Sequence, residues 1–129
     1  MSSQIPTAVL VAELQALRDA VTGVSESLIS TVDGLLVAAD TATVHPESAA
    51  ALSAAMLGLG RRTAFEVGVG GLREVVSRCH GGYVVVMAIG DQALLTVLGD
   101  EGLDLATLHV TSPATLRRLG ELLGLVPAV

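Results

Sequence analysis

The run from Glu26 to Asp40, ESLISTVDGLLVAAD, constrains the fold more than any other stretch of this chain. Two short β-rich segments, Leu28 to Val32 and Leu35 to Ala39, flank Asp33-Gly34, a strong short-range hairpin signal. A two-residue type I′ loop needs φ > 0 at both central positions, which Gly supplies without steric cost and Asp tolerates. An antiparallel hairpin is therefore predicted early in the chain.

The flanking segments extend this into a pattern. Residues 7–22 read as an amphipathic helix: Leu10, Leu14, Leu17 and Val21 share a stripe, Glu13, Arg18 and Asp19 lie off it, and Gly23 is the expected C′ residue. After the hairpin, Pro46 and Glu47 open a second helix, expected to reach about Val67. Leu52, Met56 and Leu59 form its apolar stripe, and Ala50, Ala54 and Gly58 a small-residue stripe. Gly58 and Gly60 each cost about 1 kcal/mol of helix propensity against Ala, so they mark a tight contact or an early stop.

Three apolar runs follow the Gly68–Gly71 break: Leu72 to Cys79, Tyr83 to Ile89 and Ala93 to Leu98. Gly81-Gly82 and Gly90-Asp91 separate them as turns. Both sides of Tyr83 to Ile89 are apolar, so that strand needs a covering layer on each face. Arg73, Glu74, Ser77 and Arg78 interrupt the first run, which marks an edge strand or one that pairs with another chain. Asp104 to Leu123 holds the last helix, and Ser112-Pro113 is a start signal inside it, leaving two possible beginnings. The order α-β-β-α-β-β-β-α predicts an α+β fold in one domain over residues 1–129. Its five-stranded antiparallel sheet carries one helix on one face and two on the other.

Composition narrows the function. The net charge is −6 and all seven cations are Arg, an acidic balance that opposes nucleic acid and anionic membrane surfaces. Tyr83 and Phe65 are the only large aromatics, too few for a base-stacking platform. The first residues lack a basic n-region, and no apolar run approaches the roughly 20 residues of a membrane span. The expectation is a cytoplasmic protein with no direct membrane insertion. Cys79 is the sole cysteine, which agrees with a reducing compartment. High apolar content in so small a chain points to an oligomer that hides apolar surface.

Catalytic constellations are missing. GLGRRT at 58–63 lacks the spacing and lysine of a P-loop, and GVGG at 68–71 follows a helix rather than a strand. His45, His80 and His109 are far apart and lack metal-ligand spacing. Cys79 and His80 are adjacent, so on a strand they point to opposite faces. No cofactor is expected, and Asp33 and Asp91 are read as turn residues. Arg61-Arg62 admits two readings, a recognition contact for an anionic partner or a solvated helix end that complements the dipole. Arg117-Arg118 admits the same two.

The stretches VTGVSESLISTVDGLLVAAD at 21–40 and SAAALSAAMLGLGRRTAFEVGVGGLREVVSRCHGGYVVVMAIGDQALLTVLGD at 48–100 resemble the Roadblock / dynein light chain family in its prokaryotic branch. The resemblance implies a profilin-like fold and a homodimer, with third strands paired antiparallel and second helices side by side. The dimer interface expected on this chain comprises Ala50, Ala54, Leu57, Gly58, Leu72, Arg73, Glu74, Val75, Val76 and Arg78, with Arg73 and Glu74, or Glu74 and Arg78, pairing across a two-fold axis. The resemblance further implies a non-enzymatic module that binds and regulates a small Ras-like GTPase, with Arg61 and Arg62 as partner-binding residues. Two alternatives stand beside it. One is an adaptor bridging a sensor histidine kinase or other signalling proteins without affecting GTP turnover; the other is a small-ligand sensor.

Overall fold

In a computed structural model, which describes residues 6–125, the elements follow the expected order. They are α1 (Thr7–Ala20), β1 (Val24–Thr31), β2 (Leu36–Asp40), α2 (Pro46–Val67), β3 (Glu74–Cys79), β4 (Gly82–Ile89), β5 (Ala93–Gly99) and α3 (Leu105–Leu122). The five strands form one sheet in the order β2-β1-β5-β4-β3, every pair antiparallel. Helices α1 and α3 cover one face and α2 the other. Among the described residues no helix is long and apolar enough to cross a membrane.

Strand alternation builds two cores. Ile29, Val85, Met87, Leu95 and Val97 pack with Leu10, Leu14 and Leu17 of α1 and Leu108 and Leu119 of α3. On the opposite face Val86 and Leu94 pack with Leu57 of α2. The doubly apolar β4 is thus explained: its neighbours in the sheet are β5 and β3, and helices cover both of its sides.

The first hairpin departs from expectation. Among the described residues no non-Gly residue has positive φ, so Asp33 does not adopt the conformation that a type I′ loop demands. Gly34 N–H donates to Thr31 O at 3.0 Å and Leu35 N–H to Thr31 Oγ1 at 3.1 Å, closing a longer loop in which only Gly34, at φ 89°, is left-handed. A Cβ at Gly34 would also lie 3.2 Å from Ala51 Cα, so this glycine lets the loop touch α2.

Two helix ends also differ. Helix α1 stops at Ala20 and Val21 is its extended C-cap, so Gly23 is not the C′ residue. Helix α3 begins well before Pro113: Asp104 caps it, accepting from Thr107 N–H at 3.0 Å and Thr107 Oγ1 at 2.6 Å. Pro113 removes one helical hydrogen bond, a disruption of about 3 kcal/mol or more. It lies exposed, while Leu108, Ser112, Thr115 and Leu119 bury the other side of the helix and hold it through the break.

Candidate functional site

Helix α2, the β3 edge and the Gly-rich connection between them form the surface on which the candidate residues meet. Position starts at Glu26 on β1. Its carboxylate accepts N–H groups from Ala42 at 2.6 Å, Thr43 at 2.8 Å and Val44 at 3.2 Å, and the Thr43 hydroxyl at 2.6 Å. Burial pushes this carboxyl up, but the four donors outweigh it and hold the pKa at about 2. The clamp fixes residues 42–44 just before His45, whose Nδ1 accepts from Ser48 N–H at 3.2 Å and caps α2. The launch angle of α2 over the sheet is therefore tied to β1.

The outward side of α2 is rotated from the expected one, which keeps Gly58 exposed but buries Ala50. Ala50, Ser53, Leu57 and Ala64 are buried against the sheet, while Leu52 and Leu59 are 67% and 68% exposed. Ala50 and Leu57 thus belong to the chain's own interior and are removed from the expected dimer surface. The physical reason is close approach. A Cβ at Gly60 would lie 2.8 Å from Leu72 Cδ2 and 3.0 Å from Val75 Cγ2, so small residues let the helix sit low on the aliphatic strands. Ala54, Leu72 and Val75 are partly covered by this packing. Gly58 has nothing within 4 Å of its Cβ position and lies open beside Leu59.

Strand β3 begins at Glu74, so Leu72 and Arg73 precede it, although Arg73 O still accepts from Ala88 N–H at 3.1 Å. It lies at the sheet margin, with Val76 39% exposed and Arg73 and Arg78 exposed. Glu74 Oε2 meets His109 Nε2 of α3 at 2.6 Å. Arg61 is not a free side chain: its Nη2 donates to Gly90 O at 3.3 Å, tying α2 to the β4–β5 turn. Arg62 points outward and is exposed. Arg117 and Arg118 lie on α3 across the sheet, and Arg118 Nε pairs with Glu13 of α1 at 2.8 Å.

Beside Arg61 a half-open groove of about 840 Å³ runs between the end of α2, the 68–73 connection, the β4–β5 turn and α3. Phe65, Leu72 and Leu116 supply its apolar lining and Arg61, Arg73 and Asp91 its charged groups. Arg61 and Arg73 line it, and Arg62 is exposed on the same helix as Arg61, although the chain carries −6 overall. Leu52, Leu59, Phe65 and Val67 on α2 and Val69 just after it are exposed apolar residues. Such a mixed cationic and apolar surface suits a protein partner with anionic groups at its rim. Among the described residues no group of three His, Cys, Asp or Glu could hold a metal ion.

The Roadblock/LC7 domain model matches residues 10–99, more than two thirds of the chain. The chain belongs to the Roadblock/LC7 family. Two uncharacterized proteins of Methanocaldococcus jannaschii are each 29% identical over 90 residues, 69% of this chain and 78% of theirs. Among solved structures, a Roadblock/LC7 domain from Streptomyces avermitilis matches with a TM-score of 0.79 at 22% identity, covering 87% of this chain and 95% of that one. Myxococcus xanthus MglB matches with a TM-score of 0.84 at 13% identity, covering 96% and 94%. At these identities the structural matches establish a shared fold. The Roadblock/LC7 family is one of non-enzymatic binding modules.

Sequence reasoning missed Leu52 and Leu59 as surface residues and Glu26 as the clamp. An apolar helix with two equivalent stripes carries no signal for which one is outward. Glu26 alternates correctly for an inward position on β1, and the polar ADTATV segment that supplies its donors could have been noticed.

Proposed function

We propose that this Roadblock/LC7 protein is a non-enzymatic homodimer that binds a small Ras-like GTPase and biases its nucleotide cycle. The supporting observation is the outward side of α2: exposed Leu52, Leu59 and Phe65 on the same rigidly launched helix as the exposed Arg62. The resemblance to prokaryotic members of the family, commonly companions of such GTPases, supports a partner of this kind. The mechanism is positional. The paired α2 helices contact the switch segments and favour their hydrolysis-competent arrangement. Arg61 is already engaged by Gly90 O, so it serves as a strut rather than as a finger reaching the nucleotide. Arg62 pairs with carboxylates on the GTPase surface. Such a partner places the protein in the cytoplasm.

The test is a pull-down against the small GTPases of the source cell in both nucleotide states, followed by single-turnover hydrolysis with and without the protein. Binding that weakens tenfold or more in Arg62→Glu, with an unchanged circular dichroism spectrum, supports the reading. No binding in either nucleotide state overturns it. Binding without any change in hydrolysis or exchange rate favours the adaptor, which bridges a sensor histidine kinase or other signalling protein instead. The groove beside Arg61 and Arg73 favours one further reading, a sensor for a small anionic ligand. Amide shifts at Gly70 and Gly71 on titration with carboxylate or phosphate compounds, in the absence of any GTPase, distinguish it.

A further inference from the structure

We propose that the groove at the end of α2 is a binding site for a small monocarboxylate with an apolar body, of the class of medium-chain fatty acids and aryl-alkanoates. The inference rests on the small anionic ligand reading above and names the ligand class of that site.

The connection from α2 to β3 builds the anion end. Gly68 N–H donates to Ala64 O at 3.0 Å and Val69 N–H to the same carbonyl at 3.3 Å, and these bonds close the helix. Beyond them, among the described residues, the N–H groups of Gly70, Gly71 and Leu72 reach no backbone carbonyl. Gly68 and Gly70 are left-handed, at φ 71° and 93°, and a Cβ on Gly68, Gly70 or Gly71 would have nothing within 4 Å. The connection therefore presents bare backbone to the groove, and successive unpaired N–H groups in such a turn make an anion-binding concavity. Arg61 and Arg73 line the same groove. The bond from Arg61 Nη2 to Gly90 O, at 3.3 Å, holds that guanidinium in place and uses one of its five N–H donors.

Charge and wall chemistry set the ligand class. Asp91 is the single acid of the lining against two guanidiniums, so the groove favours one negative charge and opposes a polyphosphate. Ala64, Phe65, Leu72, Ala88, Pro113 and Leu116 supply an apolar wall. Phe65 is the only aromatic among them, and Tyr83 packs with the core under α1 and α3, so no pair of rings sandwiches a nucleobase. A volume of about 840 Å³ lies within the range of small-molecule sites. A carboxylate suits both the N–H groups and the planar guanidiniums, and an alkyl or aryl body covers the wall.

No residue of β3 lines the groove, so a ligand there leaves the sheet margin free. The walls come instead from the last turns of α2, the β4–β5 turn, and α3 through Pro113 and Leu116. An occupant thereby bridges α2 and α3, two helices that cover opposite faces of the sheet.

Titration of the isotope-labelled protein with octanoate, in the absence of any GTPase, tests the site by NMR. The expected result is saturable amide shifts at Gly70, Gly71 and Leu72. Each methylene buried against the wall is worth about fourfold in affinity, so octanoate should bind at least about tenfold more tightly than acetate. n-Octylamine, with the same body and the opposite charge, should leave these amides unmoved. Arg73→Gln and Phe65→Ser alter one half of the site each, at exposed residues. Arg73→Gln should weaken octanoate about tenfold and Phe65→Ser several-fold, with unchanged circular dichroism and sedimentation. Acetate binding as tightly as octanoate, phosphate or ATP binding more tightly, octylamine moving the same amides, or affinity unmoved in both variants overturns the apolar monocarboxylate. The first two of these results leave the small anionic ligand reading standing. No shift at the three amides with octanoate, acetate or phosphate at millimolar concentration overturns both, and the GTPase reading is tested separately.

Discussion

Glu26→Gln is expected to remove about 3 kcal/mol of stability at pH 7 and, with it, a defined part of the acid sensitivity of the fold. Glu26 is 8% exposed, and its carboxylate accepts three backbone N–H groups and one hydroxyl from the 42–44 loop. Burial disfavours the ionised form, yet these donors lower the pKa from the ordinary 4.5 to about 2. A gap of that size between folded and unfolded chain is worth about 3 kcal/mol. The sign follows from proton binding: as pH falls the unfolded chain takes up the proton first. The stabilisation is therefore complete above about pH 5 and is lost progressively as pH approaches 2. Urea unfolding of both proteins, at one fixed protein concentration and at steps between pH 7 and pH 2, measures the effect. The two stabilities should differ by about 3 kcal/mol at neutral pH and converge near pH 2. Parallel curves across that interval would refute the reasoning, because the clamp would then contribute nothing through its charge. The result bears on function as well as on stability, since the clamped loop sets the start of α2.

Three further outcomes follow from the packing of α2. Gly60→Ala should destabilise by about 1–3 kcal/mol, because its Cβ would meet Leu72 and Val75, while Gly58→Ala should be neutral or raise stability by up to about 1 kcal/mol in the isolated chain; thermal melts of both distinguish a close contact from a weak helix position. Leu57→Ala, at 1% exposure, should cost about 2–5 kcal/mol in chemical denaturation. Leu52→Ala and Leu59→Ala should leave the unfolding of the single chain within about 0.5 kcal/mol of wild type and weaken self-association or partner binding instead, as read by sedimentation and pull-down.

Much of the architecture was legible along the chain. The 2.0-residue and 3.6-residue periods, the glycine breaks and the Pro46 start named eight elements in their observed order. The doubly apolar Tyr83 to Ile89 required helices on both faces, and the charged Glu74 to Arg78 segment proved to lie at a sheet margin. These readings succeed because they depend on local backbone preference and on burial counted one strand at a time. The candidate surface was legible only in part. Arg62, Val76 and Arg78 are exposed as expected, whereas Ala50 and Leu57 are interior and Arg61 is held by Gly90.

Alone, then, the order of residues determined the element types, the layering and the charged margin of β3, because each follows from short-range periodicity and from the rule that apolar faces must be covered. Tertiary structure decided which side of α2 turns outward. That helix offers apolar side chains around much of its circumference, so periodicity is indifferent to its rotation. The distance to the strands beneath is not: only the side bearing Ala50, Ser53, Gly60 and Ala64 comes low enough for close packing on the sheet, and that leaves Leu52 and Leu59 facing outward.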